Sequence, residues 1–120
     1  MGGLFWKKKR INLKHKNKNI LIEVKLVPFW YEGFGLMFKR KKKANALLFS
    51  YGFPTTMTIF SLFIPFNFLA VWLDKKNNII EKRVVKPGDE GVRPYSKFYK
   101  LIEIPITNKY KEIIKLLDGD

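Results

Sequence analysis

Thirty consecutive residues, Ala44 to Leu73, carry no charged side chain, in a chain of 120 residues with 24 Lys or Arg, 10 Asp or Glu and a net charge of +14. So apolar a segment must leave water, for a protein core or for a bilayer. Lys39-Arg40-Lys41-Lys42-Lys43 precedes it and Asp74-Lys75-Lys76 follows it. A spanning helix needs about 20 apolar residues, so hydropathy alone admits one. The details oppose it: Gly52, Pro54, Thr55, Thr56 and Thr58 interrupt the front, and Ser61, Pro65 and Asn67 interrupt the rest. The many Phe and β-branched residues suit paired strands. The expectation is a buried strand over Ala46–Tyr51, broken by Gly52-Phe53-Pro54, and further strands near 57–63 and 67–73. The alternative is a membrane-associated protein that uses residues 44–73.

The flanking sequence reads as more sheet. Ile11, Leu13 and His15 alternate with Asn12, Lys14 and Lys16, the period of a half-buried strand. Asn17-Lys18-Asn19 supplies a turn, after which Ile20, Ile22, Val24 and Leu26 share a face up to Pro28. Gly33 and Gly35 limit residues 29–37 to a helical turn. Asp74 to Asn78 forms a polar turn, Ile79–Val85 returns as a strand, and Pro87-Gly88-Asp89-Glu90-Gly91 begins a long loop. Phe98–Ile104 is the closing strand. Tyr110, Ile113, Ile114 and Leu117 then form one helical face, with Thr107 or Asn108 able to cap the start and Gly119 the stop. The fold expected is α+β and mostly β: a curled antiparallel sheet or small barrel of about seven strands plus a C-terminal helix. Residues 1–10 read as a basic N-terminal extension and 11–120 as one compact domain, with no internal repeat.

The absence of cysteine excludes disulfides, thiolate metal sites and a cysteine nucleophile, and fits a reducing compartment. At the N-terminus Lys7-Lys8-Lys9-Arg10 follows a short apolar stretch, the reverse of a secretory signal. Cytoplasmic localisation is the expectation.

Catalytic chemistry finds little support. His15, the one histidine, lies between Lys14 and Lys16 on a strand. With one His and no Cys, a metal site would depend on carboxylates, and neither Asp89-Glu90 nor Asp118 with Asp120 makes a convincing set. Gly33-Phe34-Gly35 lacks the third glycine of a dinucleotide fingerprint. We expect a non-enzymatic protein with no metal and no cofactor.

The charge distribution speaks for a partner. Residues 1–43 hold 13 Lys or Arg against Glu23 and Glu32, whereas residues 74–120 hold 11 against 8 acids. Adjacent cations repel one another, and a polyanion relieves that repulsion. The candidate anion-binding residues are Lys39, Arg40, Lys41, Lys42 and Lys43, then Lys7, Lys8, Lys9 and Arg10. Lys14, Lys16 and Lys18 form a third set, spaced as a row along one strand face. Trp30, Tyr31, Phe34 and Phe38 adjoin the first cluster and could stack on bases. The partner expected is nucleic acid or another polyanion, contacted through its backbone. The surface of a membrane is the alternative.

From Ile22 onward the chain resembles the domain-of-unknown-function family 192, small domains of bacteria and archaea. Gly35-Leu36-Met37-Phe38-Lys39-Arg40 looks like that family's Gly-Leu-Met-aromatic-Arg signature, and Leu47-Leu48-Phe49 fits its next strand. Phe66 to Asp74 with Asn77-Asn78-Ile79-Ile80 resembles its apolar strand ending in Asp and a turn. Val85-Lys86-Pro87, Tyr99 to Pro105 with a central Glu103, and Asp118-Gly119-Asp120 resemble later segments. The family's polar positions depart here: counted back from Asp74, its Pro and Asp fall on Asn67 and Leu69, and its Trp or His on Phe60. A two-residue shift pairs Pro65 and Asn67 instead. The resemblance implies a fold and no reaction.

Overall fold

The structure, a computed structural model, describes residues 7–27, 45–58, 65–89 and 91–118. Six strands form one sheet: β1 (Lys8–His15), β2 (Lys18–Val27), β3 (Leu47–Thr55), β4 (Phe68–Leu73), β5 (Ile79–Val85) and β6 (Phe98–Pro105). Their order is β1-β2-β3-β6-β4-β5. A 3₁₀ turn over Asn108–Tyr110 leads into the one helix among the described residues, α1 (Lys111–Asp118).

The alternation read in the sequence is the alternation of the sheet. Ile11, Leu13, Ile20, Ile22 and Val24 are buried, while their neighbours Asn12, Lys14, Leu21 and Glu23 are exposed. The hairpin turn is one residue tighter than expected. His15 pairs with Lys18, and Lys16 and Asn17 both adopt positive φ, 46° and 66°. Two left-handed residues give the type I′ geometry that matches strand twist. The expected row of Lys14, Lys16 and Lys18 is therefore bent around a turn.

Further expectations are corrected. The sheet is not purely antiparallel, because β2 and β3 run parallel through Lys25–Val27 and Leu47–Phe49. The strand after Ala46 does not stop at Gly52-Phe53-Pro54 but continues to Thr55. A register shift between Ser50 and Thr55 absorbs the break: Gly52 takes φ +75°, and Pro54 lies past the last residue paired with β2. A strand near 57–63 falls mostly outside the described residues, and Met57 and Thr58 are not strand. Finally, the sheet starts at Lys8 rather than Ile11, since Lys8, Lys9 and Arg10 pair with Lys25, Val24 and Glu23.

The sheet curls into a half-barrel. Ile11 and Leu13 of the first strand in the order cluster with Leu69, Val71 and Leu73 of the fifth, which requires that face to be concave. Ile102 and Ile104 join them from β6, and Tyr110 and Leu117 close the cluster from the helical end. Ile113 and Ile114 pack against it, so all four residues of the expected helical face turn inward. The two sheet edges touch where the Lys14 N–H donates to the Asn77 carbonyl at 3.0 Å, beside a parallel bridge between Lys14 and Asn78. The convex face carries a second core that includes Phe49, Tyr51, Phe68, Trp72, Phe98 and Leu101. The uncharged segment thus supplies β3 and β4. No helix among the described residues is long and apolar enough to cross a membrane.

Strand β6 is the centre of this arrangement, and residues 101–105 are all buried. Glu103 pairs with Leu47 on one side and Ala70 on the other, 1% exposed, with neither carboxylate oxygen hydrogen-bonded. The Trp72 Nε1 on the same face is likewise buried without a partner. Burial pushes the Glu103 carboxyl up to about 8 from 4.5. Below pH 4.5 the carboxyl is protonated both folded and unfolded, and there is no penalty. Above it the unfolded chain loses the proton first, so stability falls as pH rises and the loss is complete near pH 8. At about 1.4 kcal/mol per pKa unit the total is on the order of 5 kcal/mol.

Both the buried carboxyl and the helix anchor are testable by urea unfolding. Glu103→Gln against the parent should show the variant gaining several kcal/mol in relative stability between pH 5 and pH 8; parallel profiles would refute the buried titration. Tyr110 accepts the Ala46 N–H at 2.6 Å in a buried bond that ties helix to sheet. Tyr110→Phe strands that donor and should lower stability by roughly 1–3 kcal/mol, read from the shift in urea midpoint.

Candidate anion-binding site

Of the cationic residues singled out in the sequence, Lys39, Arg40, Lys41, Lys42 and Lys43 lie outside the described residues. Lys7, Lys8, Lys9 and Arg10 are exposed. Lys8 stands opposite Lys25, a like-charge pair, and Arg10 opposite Glu23. Alternation along β1 sends Lys8 and Arg10 to the outer face, while Lys9 shares the inner face of Ile11 and Leu13. Side chains adjacent in the sequence therefore diverge in the fold.

The structure makes new groupings instead. The first is a groove of about 670 Å³ between the β1–β2 turn and β5, lined by Lys14, His15, Lys16, Lys18, Glu81 and Lys82 among others. The one carboxylate among its described lining residues is already engaged. Glu81 Oε2 accepts from the Arg83 guanidinium, and Oε1 accepts the Tyr95 N–H at 3.0 Å. Arg83 is held in turn between aromatic rings, 5.7 Å from the centroid of Trp72 and 5.4 Å from that of Tyr95. The His15 Nε2 is buried without a hydrogen bond at the edge of the groove. Lysines bent around a tight turn thus face a wall whose acid is neutralised, leaving a net positive trough.

The second grouping lies at the end of the half-barrel remote from α1. Lys100 occupies an inner-face position of β6, in register with Ser50 of β3 and Leu73 of β4 and two residues before Ile102. Its Nζ donates to the Asn77 Oδ1 at 2.6 Å. Burial lowers the Lys100 pKa first, and the charge of Lys9 lowers it further, against a partial offset from Asp74. Asn77 is fixed by its backbone as well: its N–H donates to the Asp74 carbonyl at 3.1 Å, its carbonyl accepts from Lys14, and its φ is 69°. Asn tolerates that left-handed conformation better than most residues while still offering a side chain. Around these groups is a cavity of about 250 Å³ whose polar lining includes Lys9, Arg10, Ser50, Asn77 and Lys100.

Asp74, the nearest acid, is used internally. Oδ1 accepts the N–H groups of Lys76 and Asn78, both at 2.9 Å, and Oδ2 accepts the Asn78 side-chain amide at 2.9 Å. Partial burial would raise its pKa, but these hydrogen bonds and the Lys14 charge outweigh that and hold it low. Among the described residues no three His, Asp or Glu side chains are arranged to hold a metal ion. Asn67 is exposed and Leu69 is part of the inner core, whereas Phe60 is outside the described residues.

Sequence reasoning missed Lys100 and Asn77 as site residues. The available signal was the period of 2 through Lys100, Ile102 and Ile104, which sets a cation on an apolar face. Asn77 reads only as a turn residue.

No protein-family profile matches the chain, and no curated protein matches it significantly. Two solved structures share its fold. One, described as a "putative transcription regulator" from Sinorhizobium meliloti 1021, is 15% identical, covers 90% of this chain and 87% of its own, and superposes with a TM-score of 0.74. The other, a protein of unknown function from Novosphingobium aromaticivorans DSM 12444, is 10% identical, covers 88% of this chain and 78% of its own, and has a TM-score of 0.69. Identities this low establish the fold alone: a curled half-barrel sheet with one C-terminal helix.

Proposed function

We propose that this chain is a non-enzymatic polyanion-binding domain of the cytoplasm, with nucleic acid as the favoured partner. The observation that carries the reading is the groove beside the β1–β2 turn, which Lys14, Lys16, Lys18 and Lys82 line and where Glu81 is occupied by Arg83 and Tyr95. Ammonium groups in a trough neutralise successive phosphates and release condensed counterions, which gives affinity without base-specific contacts. Lys39 to Lys43 would extend the interaction, as would the outer-face cations Lys8 and Arg10. One structural neighbour bears a name that points to transcription, which is in keeping with a nucleic-acid partner for the fold. The Gly35-to-Arg40 motif and the Asp74 turn further support divergent membership of the domain-of-unknown-function family 192.

The test is fluorescence anisotropy with labelled duplex DNA, RNA, an acidic polypeptide and anionic vesicles across a salt series. The expected outcome is tighter binding of nucleic acid than of the other polyanions, with log affinity falling linearly as log salt rises. Reversal of Lys14, Lys18 and Lys82 to Glu should weaken binding about tenfold or more and flatten the slope by roughly one unit for each phosphate no longer neutralised. Equal affinity for every polyanion, or an unchanged slope in the triple variant, would overturn the reading. A preference for vesicles would give the partnership to the membrane surface instead.

A further inference from the structure

The cavity at the open end of the half-barrel is chemically unlike the groove. Among its lining residues Lys9, Ser50, Asn77 and Lys100 offer side-chain hydrogen-bond donors, and no carboxylate is among its described lining. Lys100 projects from the central strand into a position otherwise occupied by isoleucines, and the second ammonium, that of Lys9, comes from the opposite edge of the sheet. Two like charges brought together at the rim of an apolar interior are unfavourable alone. The Lys100 ammonium has three donors and directs one to Asn77 Oδ1. That bond orients the Asn77 amide so that its NH₂ hydrogens remain as donors. Asp74 offsets these charges only in part, and its oxygens are hydrogen-bonded within the turn rather than paired with either ammonium.

Size selects the ligand. A volume of about 250 Å³ lies below the range of about 300–1,000 Å³ typical of pockets for drug-sized ligands and suits a small anion. A tetrahedral oxyanion with a small substituent fits, and its oxygens can each accept from ammonium, hydroxyl or amide. We infer that this cavity is a phosphate site, formed by Lys9, Lys100, Ser50 and Asn77, that takes free phosphate or the terminal phosphate of a monoester.

The site is separate from the groove, on different side chains, and stands or falls independently of polyanion binding. Inorganic phosphate should be titrated at constant ionic strength against chloride, following the backbone amide resonances of Ser50, Asn77 and Lys100. Saturable one-site shifts at these residues are expected. Lys100→Met and Lys9→Met should each weaken phosphate about tenfold or more, while Lys82→Met in the groove leaves it unchanged. Phosphate should also raise the melting temperature of the parent and not that of Lys100→Met, which keeps the stem and removes a half-buried charge. Oligonucleotides with and without a 5′-phosphate distinguish the sources: preference for the phosphorylated strand over free phosphate assigns a nucleic-acid terminus, and equal affinity assigns the small anion. Linear, unsaturated shifts, or equal phosphate affinity in parent, Lys9→Met and Lys100→Met, would overturn the site. Salt-dependent duplex binding lost in the groove variants with phosphate uptake intact would confirm that the two sites are distinct.

Discussion

The burial of β6 between β3 and β4 is the constraint on which the rest of the structure depends. A strand covered on both faces must satisfy its backbone entirely through its two neighbours, and β6 does so with antiparallel ladders on both sides. Its inner-face residues Ile102 and Ile104 set the core around which the sheet curls, and its outer-face Leu101 joins the aromatic cluster of Phe49, Trp72 and Phe98. Because the sheet bends around β6, the first and last strands in the order come close enough to touch at Lys14 and Asn77. Both cationic features arise from that approach. The fold is thus upstream of the site, and a flat sheet of the same strands would have neither the groove nor the mouth.

Within this strand Glu103 is an exception to the chemistry around it. A penalty on the order of 5 kcal/mol at alkaline pH is comparable to the whole stability of a small domain, which is about 5–15 kcal/mol. Leu or Met at this position would avoid it. Natural sequences that break a local rule tend to do so at functional or strained places, and the orphaned Trp72 Nε1 on the same face makes Glu103 less isolated as an anomaly. The carboxyl is neutral across most of the physiological range, so it acts there as a hydrogen-bond donor in waiting rather than as a charge.

What could be read from the residues followed from periodicity, and what could not followed from long-range pairing. The alternation in residues 11–26 located the β1–β2 hairpin, and the spacing of Tyr110, Ile113, Ile114 and Leu117 located the inward face of the helix. The turn is shorter than Asn17-Lys18-Asn19 and begins one residue earlier because Asn17 and Asn19 are both good turn formers, and only the pairing of Leu13 with Ile20 decides between them. Gly52 and Pro54 read as a break because local chemistry forbids a regular strand there; the bulge that accommodates them depends on β6, some fifty residues away. The parallel pairing of β2 with β3 has no local signature at all. For the site, runs such as Lys7–Arg10 are conspicuous in the sequence, yet a strand sends neighbours to opposite faces. Lys9, Ser50, Asn77 and Lys100 are scattered along the chain, and no short window contains two of them.

The groove and the mouth also differ in how strongly water governs them. Lysines around the exposed turn act through a solvent in which charges are screened within about 8–10 Å at ordinary salt, so their effect is collective and salt-sensitive. Lys100 is partly desolvated, and its interactions are correspondingly stronger, more directional and less sensitive to salt. Asn77 belongs to both regions: its carbonyl holds the Lys14 backbone at the edge of the groove, and its side chain holds Lys100 at the mouth. A left-handed residue with a glycine's backbone geometry but an amide's chemistry is needed for both tasks at once. Glycine there would keep the edge contact and release Lys100, whereas a β-branched residue would strain the turn itself. The choice of asparagine at this one position therefore couples closure of the half-barrel to the orientation of the Lys100 ammonium.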